Sequence, residues 1–226
     1  MTVVAIDGPS GAGKSTIARA AARRLGYIYV DTGAIYRTLA LHVISCGGDV
    51  RSEASVKPLL ESADIAVRFL QGEQRIFLNG EDVSEKIRTP EISMGSSAVS
   101  AHPAVRAHVL ELQRDLARKD SVIMDGRDIG TVVLPNADLK IFLTADPRIR
   151  ARRRYQELVE RGEQATEEKV LEEVLQRDYN DSHRATAPLR QAEDAVLVDN
   201  SNLNLSQSVD RVVELIEQVC WKKKKA

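Results

Sequence analysis

The chain has 226 residues, of which 43% are hydrophobic and 29% charged, as is usual for one large or two small globular domains. Its 32 lysines and arginines almost balance its 33 aspartates and glutamates, so the net charge indicates no polyanionic partner, and with aromatic residues at 4% we do not expect nucleic-acid binding. The two cysteines form no C-x-x-C pair, which argues against a disulfide scaffold or a zinc site. The sequence shows no signal-like N-terminal segment and no apolar run of ~18 residues, and we therefore expect a cytoplasmic protein with no membrane partner.

The beginning of the chain predicts a strand–helix–strand–helix series. Val3–Ile6 is a short, β-branched apolar run that a Gly-Pro pair stops, as expected of a buried parallel strand. An amphipathic helical stretch follows and ends at Gly26. Tyr27–Val30 predicts a second strand, and Ala34–Val43 repeats the helical spacing.

The next segment has a different pattern. In Asp64–Phe69 and again in Arg75–Leu78, apolar residues alternate with other residues. Gln71-Gly72-Glu73 separates the two runs, and Asn79-Gly80 follows the second. This pattern predicts a small antiparallel sheet inserted at about residues 62–84.

The second half returns to alternating helices and strands. Val99–Ala117 predicts one helix, and Arg148–Gln176 predicts a long, highly charged one. Three further short apolar strands are predicted at Ser121–Met124, Leu139–Leu143 and Ala195–Val198. The whole series predicts an α/β fold with a five-stranded parallel sheet flanked by helices. The lysines at Lys222–Lys225 are expected to form a frayed, solvated end.

A phosphate-binding motif follows the first predicted strand. The run Gly8-Pro9-Ser10-Gly11-Ala12-Gly13-Lys14-Ser15 fits the P-loop pattern G-x-x-x-x-G-K-[ST], and with Thr16 it forms the predicted ATP-binding segment. Glycines let successive backbone N–H groups point at phosphate oxygens, and the helix that begins near Gly13 adds its positive dipole end. Lys14 supplies a charge for the β- and γ-phosphates, and the Ser15 hydroxyl is the predicted Mg²⁺ ligand. A chance match occurs in roughly one chain in a hundred of this size, but this one stands between a strand and a helix as the motif requires.

The P-loop does not name a function, because GTPases, ATPases, switches and small-molecule kinases share it. Two other polar segments, Asp31–Arg37 and Asp125–Thr131, follow predicted strands, where α/β sheets bind ligands, although both could be caps or turns. In the charged helix, Arg150, Arg153 and Arg154 share one face. This face is either solvated or arranged around an anion such as a triphosphate near its transition state.

Over essentially its whole length the sequence resembles the bacterial cytidylate kinases. The resemblance rests on the P-loop, on Asp31–Arg37, on Asp125–Val133 and on Lys140-Ile141-Phe142-Leu143. It extends to Pro135, to Ala187-Pro188-Leu189, and to Ser97 together with Pro103-Ala104-Val105-Arg106. The small inserted sheet combined with G-R-D-x-G-T-V-V is specific to that family of nucleotide kinases.

The resemblance implies three parts and a set of site residues. The parts are a P-loop core (1–30, 107–147 and 188–226), a nucleoside-monophosphate-binding part (31–106) and a mobile lid (148–187), expected in a monomer. By their match to the family's motifs, the cytosine edge is read by Ser97, Arg106 and Asp128, and the acceptor phosphate is held by Arg37, Arg127 and Arg184. The sugar is contacted by Arg177 and Asp181. Two further residues, Asp31 and Thr32, stand beside the acceptor nucleotide. The predicted catalytic residues are Lys14, Arg127, Arg150, Arg153, Arg154 and Arg184. The sequence departs from the family at Asn180 and Ser182, where family lids often have basic residues.

The implied activity is ATP-dependent, Mg²⁺-assisted phosphorylation of CMP and dCMP to CDP and dCDP. Two alternatives stay open at this stage. One is a P-loop kinase of another small acceptor, such as UMP or shikimate. The other is a nucleotide-binding switch without turnover, although the N-K-x-D signature of GTPases is absent from the sequence.

Overall fold

The computed structural model describes residues 1–160 and 162–225. In chain order the elements are β1 (Val3–Asp7), α1 (Lys14–Leu25), β2 (Ile28–Asp31), α2 (Thr32–Ser45), α3 (Glu53–Val56), β3 (Ile65–Leu70), β4 (Glu73–Leu78), β5 (Glu81–Asp82), α4 (Pro90–Val99), α5 (Pro103–Leu116), β6 (Val122–Gly126), β7 (Leu139–Thr144), α6 (Pro147–Glu160), α7 (Glu167–His183), β8 (Val196–Asp199) and α8 (Leu205–Lys225). A π-helical turn, Ile129–Val133, follows β6. By their contacts the residues divide into two compact units, Met1–Tyr27 with Ser121–Ala226, and Ile28–Asp120.

The sheets confirm the predicted fold class. Within the described residues, five parallel strands form one sheet in the order β2-β6-β1-β7-β8, flanked by helices. Three more described strands form the small antiparallel sheet, in the order β3-β4-β5. The parallel direction of the strands follows from the strand–helix alternation, because a helix returns the chain to the same end of the sheet.

Strand register in the first unit brings four loops to one edge of the sheet. Asp7, the last residue of β1, is in register with Gly126 at the end of β6 and with Phe142 in β7. Thr144 of β7 is in register with Asp199, the last residue of β8. Because these strands are parallel, the segments that follow them leave from the same edge, which is where such sheets bind ligands.

One glycine is required for the chain to leave β1 at this edge. Gly8 has a φ of 149°, and a Cβ on it would lie 1.9 Å from the carbonyl oxygen of Leu143 in β7. An L side chain would meet both backbone strain and a collision with a buried strand. The first glycine of the P-loop is therefore set by packing as well as by phosphate binding.

The small sheet belongs to the core of the second unit. Val67 of β3 lies opposite Ile76 of β4, and Ile76 is buried in a cluster with Ile35 and Leu39 of α2. Burying a side chain of this size stabilises the fold by about 1.5–3 kcal/mol. The sheet is thus packed onto α2, the helix that begins at Thr32.

Two of the predicted helices were wrong in extent. The helix predicted at Val99–Ala117 is α5, which begins at Pro103 because proline suits the first helical position, and α4, which ends at Val99, was not predicted. The long helix predicted at Arg148–Gln176 likewise ends at Glu160, and α7 begins after Thr166, whose side chain accepts from Lys169 N, and continues to His183.

The lysine-rich end is exposed, as predicted, but it is not frayed, since Lys222–Lys225 are helical residues of α8. Lys223 Nζ lies 2.6 Å from Asp138 Oδ1 and donates to the carbonyl oxygen of Met1 at 3.2 Å. Lys225 places its amine 4.5 Å from the centre of the Trp221 ring. The Lys223 contacts join the last turn of the helix to the body of its own unit, whereas the Lys225 contact lies within the helix.

Candidate active site

The P-loop connects β1 to α1. Gly11 and Gly13 have φ values of 74° and 84°, and Gly13 is the N-cap of α1. Left-handed glycines at these two positions help turn the N–H groups of the loop to one side, and the helix N-terminus adds positive potential. The loop therefore has the backbone form that binds phosphate.

Lys14 is buried in the first turn of α1, where its side chain is 6% exposed to solvent. Its Nζ donates to the carbonyl oxygen of Pro9 at 2.8 Å, which holds the amine over the loop. Burial, and next the charge of Arg127, hold the pKa of Lys14 well below its usual value. A polyphosphate at the loop would favour the charged form again, so the lysine is arranged to respond to an anion.

Ser15 and Asp125 form an oxygen pair beside the loop. Ser15 Oγ donates to Asp125 Oδ2 at 2.8 Å, and Asp125 is buried near the end of β6. Hydroxyl and carboxylate oxygens are the ligands that Mg²⁺ prefers. No group of three His, Cys, Asp or Glu side chains in the described part of the chain could hold a metal by itself. The two oxygen donors present, a hydroxyl and a carboxylate, fit a Mg²⁺ ion that takes its other ligands from phosphates and water.

Arg150 does not form the open anion site that its spacing on α6 predicted. It is buried, and its Nε and Nη1 donate to the carbonyl oxygens of Ala145 and Ser10 at 2.8 and 2.9 Å. Its Nη1 and Nη2 also donate to the Asp178 carboxylate at 3.1 and 2.6 Å. The carboxylate of Asp178 already compensates the charge of Arg150, so this residue does not require a bound anion, contrary to the expectation from its spacing.

The other two arginines of the face also have protein partners. Arg153 donates to Oδ1 and to the backbone oxygen of Asn200 at 3.1 and 3.0 Å, and Arg154 donates to Glu157 at 3.1 Å. Asn200 in turn donates from Nδ2 to the carbonyl oxygen of Ala12 at 2.9 Å. Arg150 and Arg153 thus hold two carbonyl groups of the P-loop, one directly and one through Asn200.

Asn200 was not predicted as a site residue from the sequence. It follows β8 directly and is 1% exposed, with its backbone N–H bonded to Thr144 O at 2.9 Å. An asparagine just past the carboxyl end of a predicted strand is a weak signal, because turns use asparagine for local hydrogen bonds as well. Its contact with Ala12 depends on the packing of β8 beside β7, which no motif records.

Asp7 is a second missed residue. Its carboxylate accepts from the N–H groups of Ile129 and Gly130 at 2.8 and 2.7 Å, at the start of the π-helical turn. These bonds fix the backbone directly after Arg127 and Asp128. Burial, aided by the charge of Asp128, raises the pKa of Asp7 to about 6 against the lowering effect of the two N–H groups.

The raised pKa predicts a pH dependence of stability. Above pH 6 the Asp7 carboxyl is ionised in both the folded and the unfolded protein, and burial of the charged carboxylate destabilises the folded protein. As pH falls through 6 the folded state binds the proton first, so the free energy of unfolding rises until the unfolded chain is also protonated near pH 4. Relative to Asp7→Asn, the wild-type protein should gain up to about 3 kcal/mol between pH 7 and 4. Denaturant titrations of both proteins measure this, and a difference that stays constant over that range would contradict it.

Five of the residues predicted to hold the acceptor lie together in the first unit: Arg127, Asp128, Arg177, Asp181 and Arg184. Arg127 Nε donates to Asp181 Oδ2 at 2.9 Å, and Arg184 Nη2 lies 3.7 Å from Asp128 Oδ1. Burial opposes ionisation of Asp181, but Arg127, Arg177 and Arg184 together hold its pKa below the usual value. The group consists of two buried carboxylates and three partly buried arginines, with an excess of positive charge.

The family departures lie on the same helix, α7. Asn180 Oδ1 accepts from Gln176 Nε2 at 2.9 Å, and Ser182 Oγ donates to the carbonyl oxygen of Asp178 at 2.6 Å. Both side chains are exposed and bond within their own helix. They add no charge to the arginine and carboxylate group.

In the second unit, Asp31 and Arg37 form a pair at the start of α2. Asp31 Oδ1 accepts from Ala34 N at 3.0 Å as the N-cap, and Oδ2 accepts from Arg37 Nη2 at 2.7 Å. Burial opposes ionisation of Asp31, but Arg37 outweighs it and lowers the pKa. Thr32, the first residue of the helix, is buried. The predicted phosphate residue Arg37 is therefore oriented by Asp31.

Arg106 and Ser97 lie on neighbouring helices of the same unit. Arg106, on α5, is 8% exposed, donates to Ser100 O at 3.1 Å and places its guanidinium 5.5 Å from the centre of the Tyr36 ring. Ser97, on α4, is partly buried. Tyr36 was not predicted as a site residue, although it stands inside the Asp31–Arg37 segment.

A glycine-rich loop between a buried parallel strand and a helix, with a buried lysine and a hydroxyl at the helix start, defines a P-loop phosphate-binding protein. The family model described as Cytidylate kinase matches residues 4–218, and the chain belongs to the cytidylate kinase family.

Relatives of known name agree with this family. A protein named Cytidylate kinase from Caldicellulosiruptor saccharolyticus is 48% identical over 216 residues, which cover 96% of each chain. Another of that name from Geobacillus kaustophilus is 45% identical over 95% of this chain and 96% of its own. Among solved structures, an uncharacterized protein from Eubacterium ventriosum has a TM-score of 0.51 at 12% identity, covering 96% of this chain and 99% of its own, and this likeness supports the fold alone.

Within the described ranges, no helix is long and apolar enough to cross a membrane.

Proposed function

We propose that the protein transfers the γ-phosphate of ATP to CMP and dCMP, forming CDP and dCDP in pyrimidine nucleotide metabolism. The observation that supports this most is the family match over residues 4–218, a range that includes every residue with a predicted role. ATP and nucleoside monophosphates are metabolites of the cell interior, so the proposed compartment is the cytoplasm. The proposed oligomeric state of the protein is a monomer.

On the donor side, the N–H groups of the P-loop and Lys14 bind the β- and γ-phosphates. Ser15, with Asp125 as its hydrogen-bond partner, would hold Mg²⁺, which when bound neutralises charge on these phosphates. Lys14 Nζ lies within hydrogen-bond distance of Pro9 O, at 2.8 Å, and a short movement would bring it to a phosphate oxygen. Its charge is then nearest to the group that is transferred.

On the acceptor side, the chemistry requires positioning rather than a base. The attacking oxygen belongs to a phosphate that is already ionised, so the protein has to hold two anions in line and compensate their charge. We assign the acceptor phosphate to Arg37, Arg127 and Arg184. Arg177 and Asp181 take the sugar, and Asp31 and Thr32 lie beside it.

Cytosine is the proposed base because of the residue types at three positions. Cytosine presents an N4 donor beside the N3 and O2 acceptors, and uracil reverses the pattern at positions 3 and 4. Asp128 would accept from N4, while Arg106 and Ser97 would donate to the ring. A carboxylate and two donors therefore favour CMP over UMP.

The proposed lid, residues 148–187, contains α6 and α7. We propose that Arg150 and Arg153 act by holding the carbonyl groups of the P-loop, and that Arg154, which lies at the same face, compensates charge in the transition state. Closing such a segment over the reactants would keep water from the γ-phosphate.

The role of Asn200 gives a prediction on the donor side. Asn200→Asp removes the Nδ2 donor and sets a carboxylate against the carbonyl oxygen of Ala12. Because that carbonyl loses its partner, the loop should loosen and the KM for ATP should rise about tenfold, with little change in the KM for CMP. Steady-state kinetics against Asn202→Asp, an exposed control two residues away, test this. Equal ATP KM values for the two variants would contradict it.

The proposed function is tested by a coupled ADP-release assay. ATP and Mg²⁺ are supplied with CMP, dCMP, UMP, AMP, GMP or shikimate in turn. The highest kcat/KM is expected for CMP or dCMP. Faster turnover of UMP or shikimate would select the alternative kinase, and ATP binding without turnover of any acceptor would select the switch.

A further inference from the structure

In the β3–β4 hairpin, one polar residue stands among the apolar side chains of the face that carries the buried Ile76. Pairing sets Ile65, Val67 and Phe69 of β3 opposite Leu78, Ile76 and Gln74 of β4, so these six side chains share one face. Five of the six are apolar, and the sixth is Gln74. Polar side chains on such a face are retained where they find hydrogen-bond partners.

Both ends of the Gln74 amide bond the backbone of one residue. Asp31 N donates to Gln74 Oε1 at 2.7 Å, and Gln74 Nε2 donates to Asp31 O at 3.2 Å. This pairing satisfies both backbone groups of Asp31 and fixes the plane of the peptides on either side of it. Asp31 has φ −88° and ψ 99°, an extended conformation immediately before α2.

The conformation of Asp31 determines where its carboxylate points. From this backbone, Oδ1 reaches Ala34 N at 3.0 Å and Oδ2 reaches Arg37 Nη2 at 2.7 Å. Space in the pair is tight, because a Cβ on Gly33 would lie 3.0 Å from both Arg37 Nη1 and Asp31 Oδ1. Because the Asp31 side chain moves with its backbone, a rotation of that backbone would move the carboxylate away from the Arg37 guanidinium.

We propose that Gln74 is a positioning residue for the acceptor phosphate, acting through Asp31 on Arg37. The small sheet then has a role in binding the nucleoside monophosphate without contacting it. This inference rests on the proposed function, in which Arg37 binds the phosphate of CMP. It assigns to the insert a specific contribution, the orientation of one arginine.

The test uses Gln74→Met, which keeps the length of the side chain, suits the apolar face and removes both hydrogen bonds. The KM for CMP should rise about tenfold, while the KM for ATP stays within about twofold of the wild-type value. Gln71→Met, the same substitution at the exposed hairpin turn, is the control and should change neither constant. Thermal melts of both variants report any loss of folded protein, and Gln74→Glu serves as a second variant if Gln74→Met does not fold.

A double-mutant cycle separates positioning from general support of the fold. If Gln74 acts through Arg37, then Gln74→Met should have no further effect on the KM for CMP in an Arg37→Met background. Additive effects of the two substitutions, or an unchanged KM for CMP in Gln74→Met, would overturn the inference. The proposed function would still stand as long as the wild-type protein turns over CMP. Absence of CMP turnover in the wild-type protein would overturn both.

Discussion

Replacing Lys14 with methionine is expected to lower kcat by at least about a hundredfold. The ammonium group should stabilise charge that develops as the γ-phosphate leaves ADP, and no other lysine stands in the P-loop sequence. Methionine fills the space of the aliphatic stem, so the substitution removes the charge and little of the packing. Single-turnover measurements of phosphate transfer to CMP would show the loss in the chemical step.

The Lys14→Met substitution should lower kcat without lowering the stability of the folded protein. Burial holds the pKa of Lys14 well below its usual value, because burying the charged amine destabilises the folded protein. Lys14→Met should therefore unfold at an equal or higher denaturant concentration than the wild-type protein. Lys140→Met is a matched control, because Lys140 is also a buried lysine of this unit but pairs with Asp194 at 2.8 Å. Near-normal kcat in Lys14→Met would contradict the assignment of the P-loop.

Arg106→Met is expected to lower kcat/KM for CMP by about 10–100-fold and to change that for UMP much less. Arg106 would donate to the acceptor edge of cytosine, and a site built for hydrogen bonds loses its preference when a partner is removed. Methionine keeps contact with the Tyr36 ring, where the guanidinium lies 5.5 Å from the ring centre. The measured quantity is the ratio of the two kcat/KM values.

Arg37→Met supplies the comparison for this prediction. Arg37 pairs with Asp31 and is assigned to the acceptor phosphate, which is the same in CMP and UMP. Its loss should lower kcat/KM for both nucleotides by a similar factor. If Arg106→Met also lowers both alike, Arg106 holds phosphate or structure, and the base-reading assignment is wrong.

The sequence by itself determined the fold class and the location of the phosphate-binding loop. Both depend on local signals: a short β-branched run such as Val3–Ile6, stopped by Gly-Pro, favours a buried strand, and the glycines, lysine and serine of the P-loop are close together in the chain. The small sheet was also predictable, because its alternation of apolar residues is a local pattern. These signals need no knowledge of distant residues.

Only the tertiary structure decided how the polar residues pair. Spacing along α6 correctly placed Arg150 and Arg153 on one face, but it could not show that Asp178 and Asn200, 28 and 47 residues away, would be their partners. Asp7 and Gln74 were missed for the same reason, since their bonds to Gly130 and to Asp31 span 123 and 43 residues. Hydrogen bonds of this kind are set by strand register and helix packing, and these follow from the burial of the whole core rather than from any short segment.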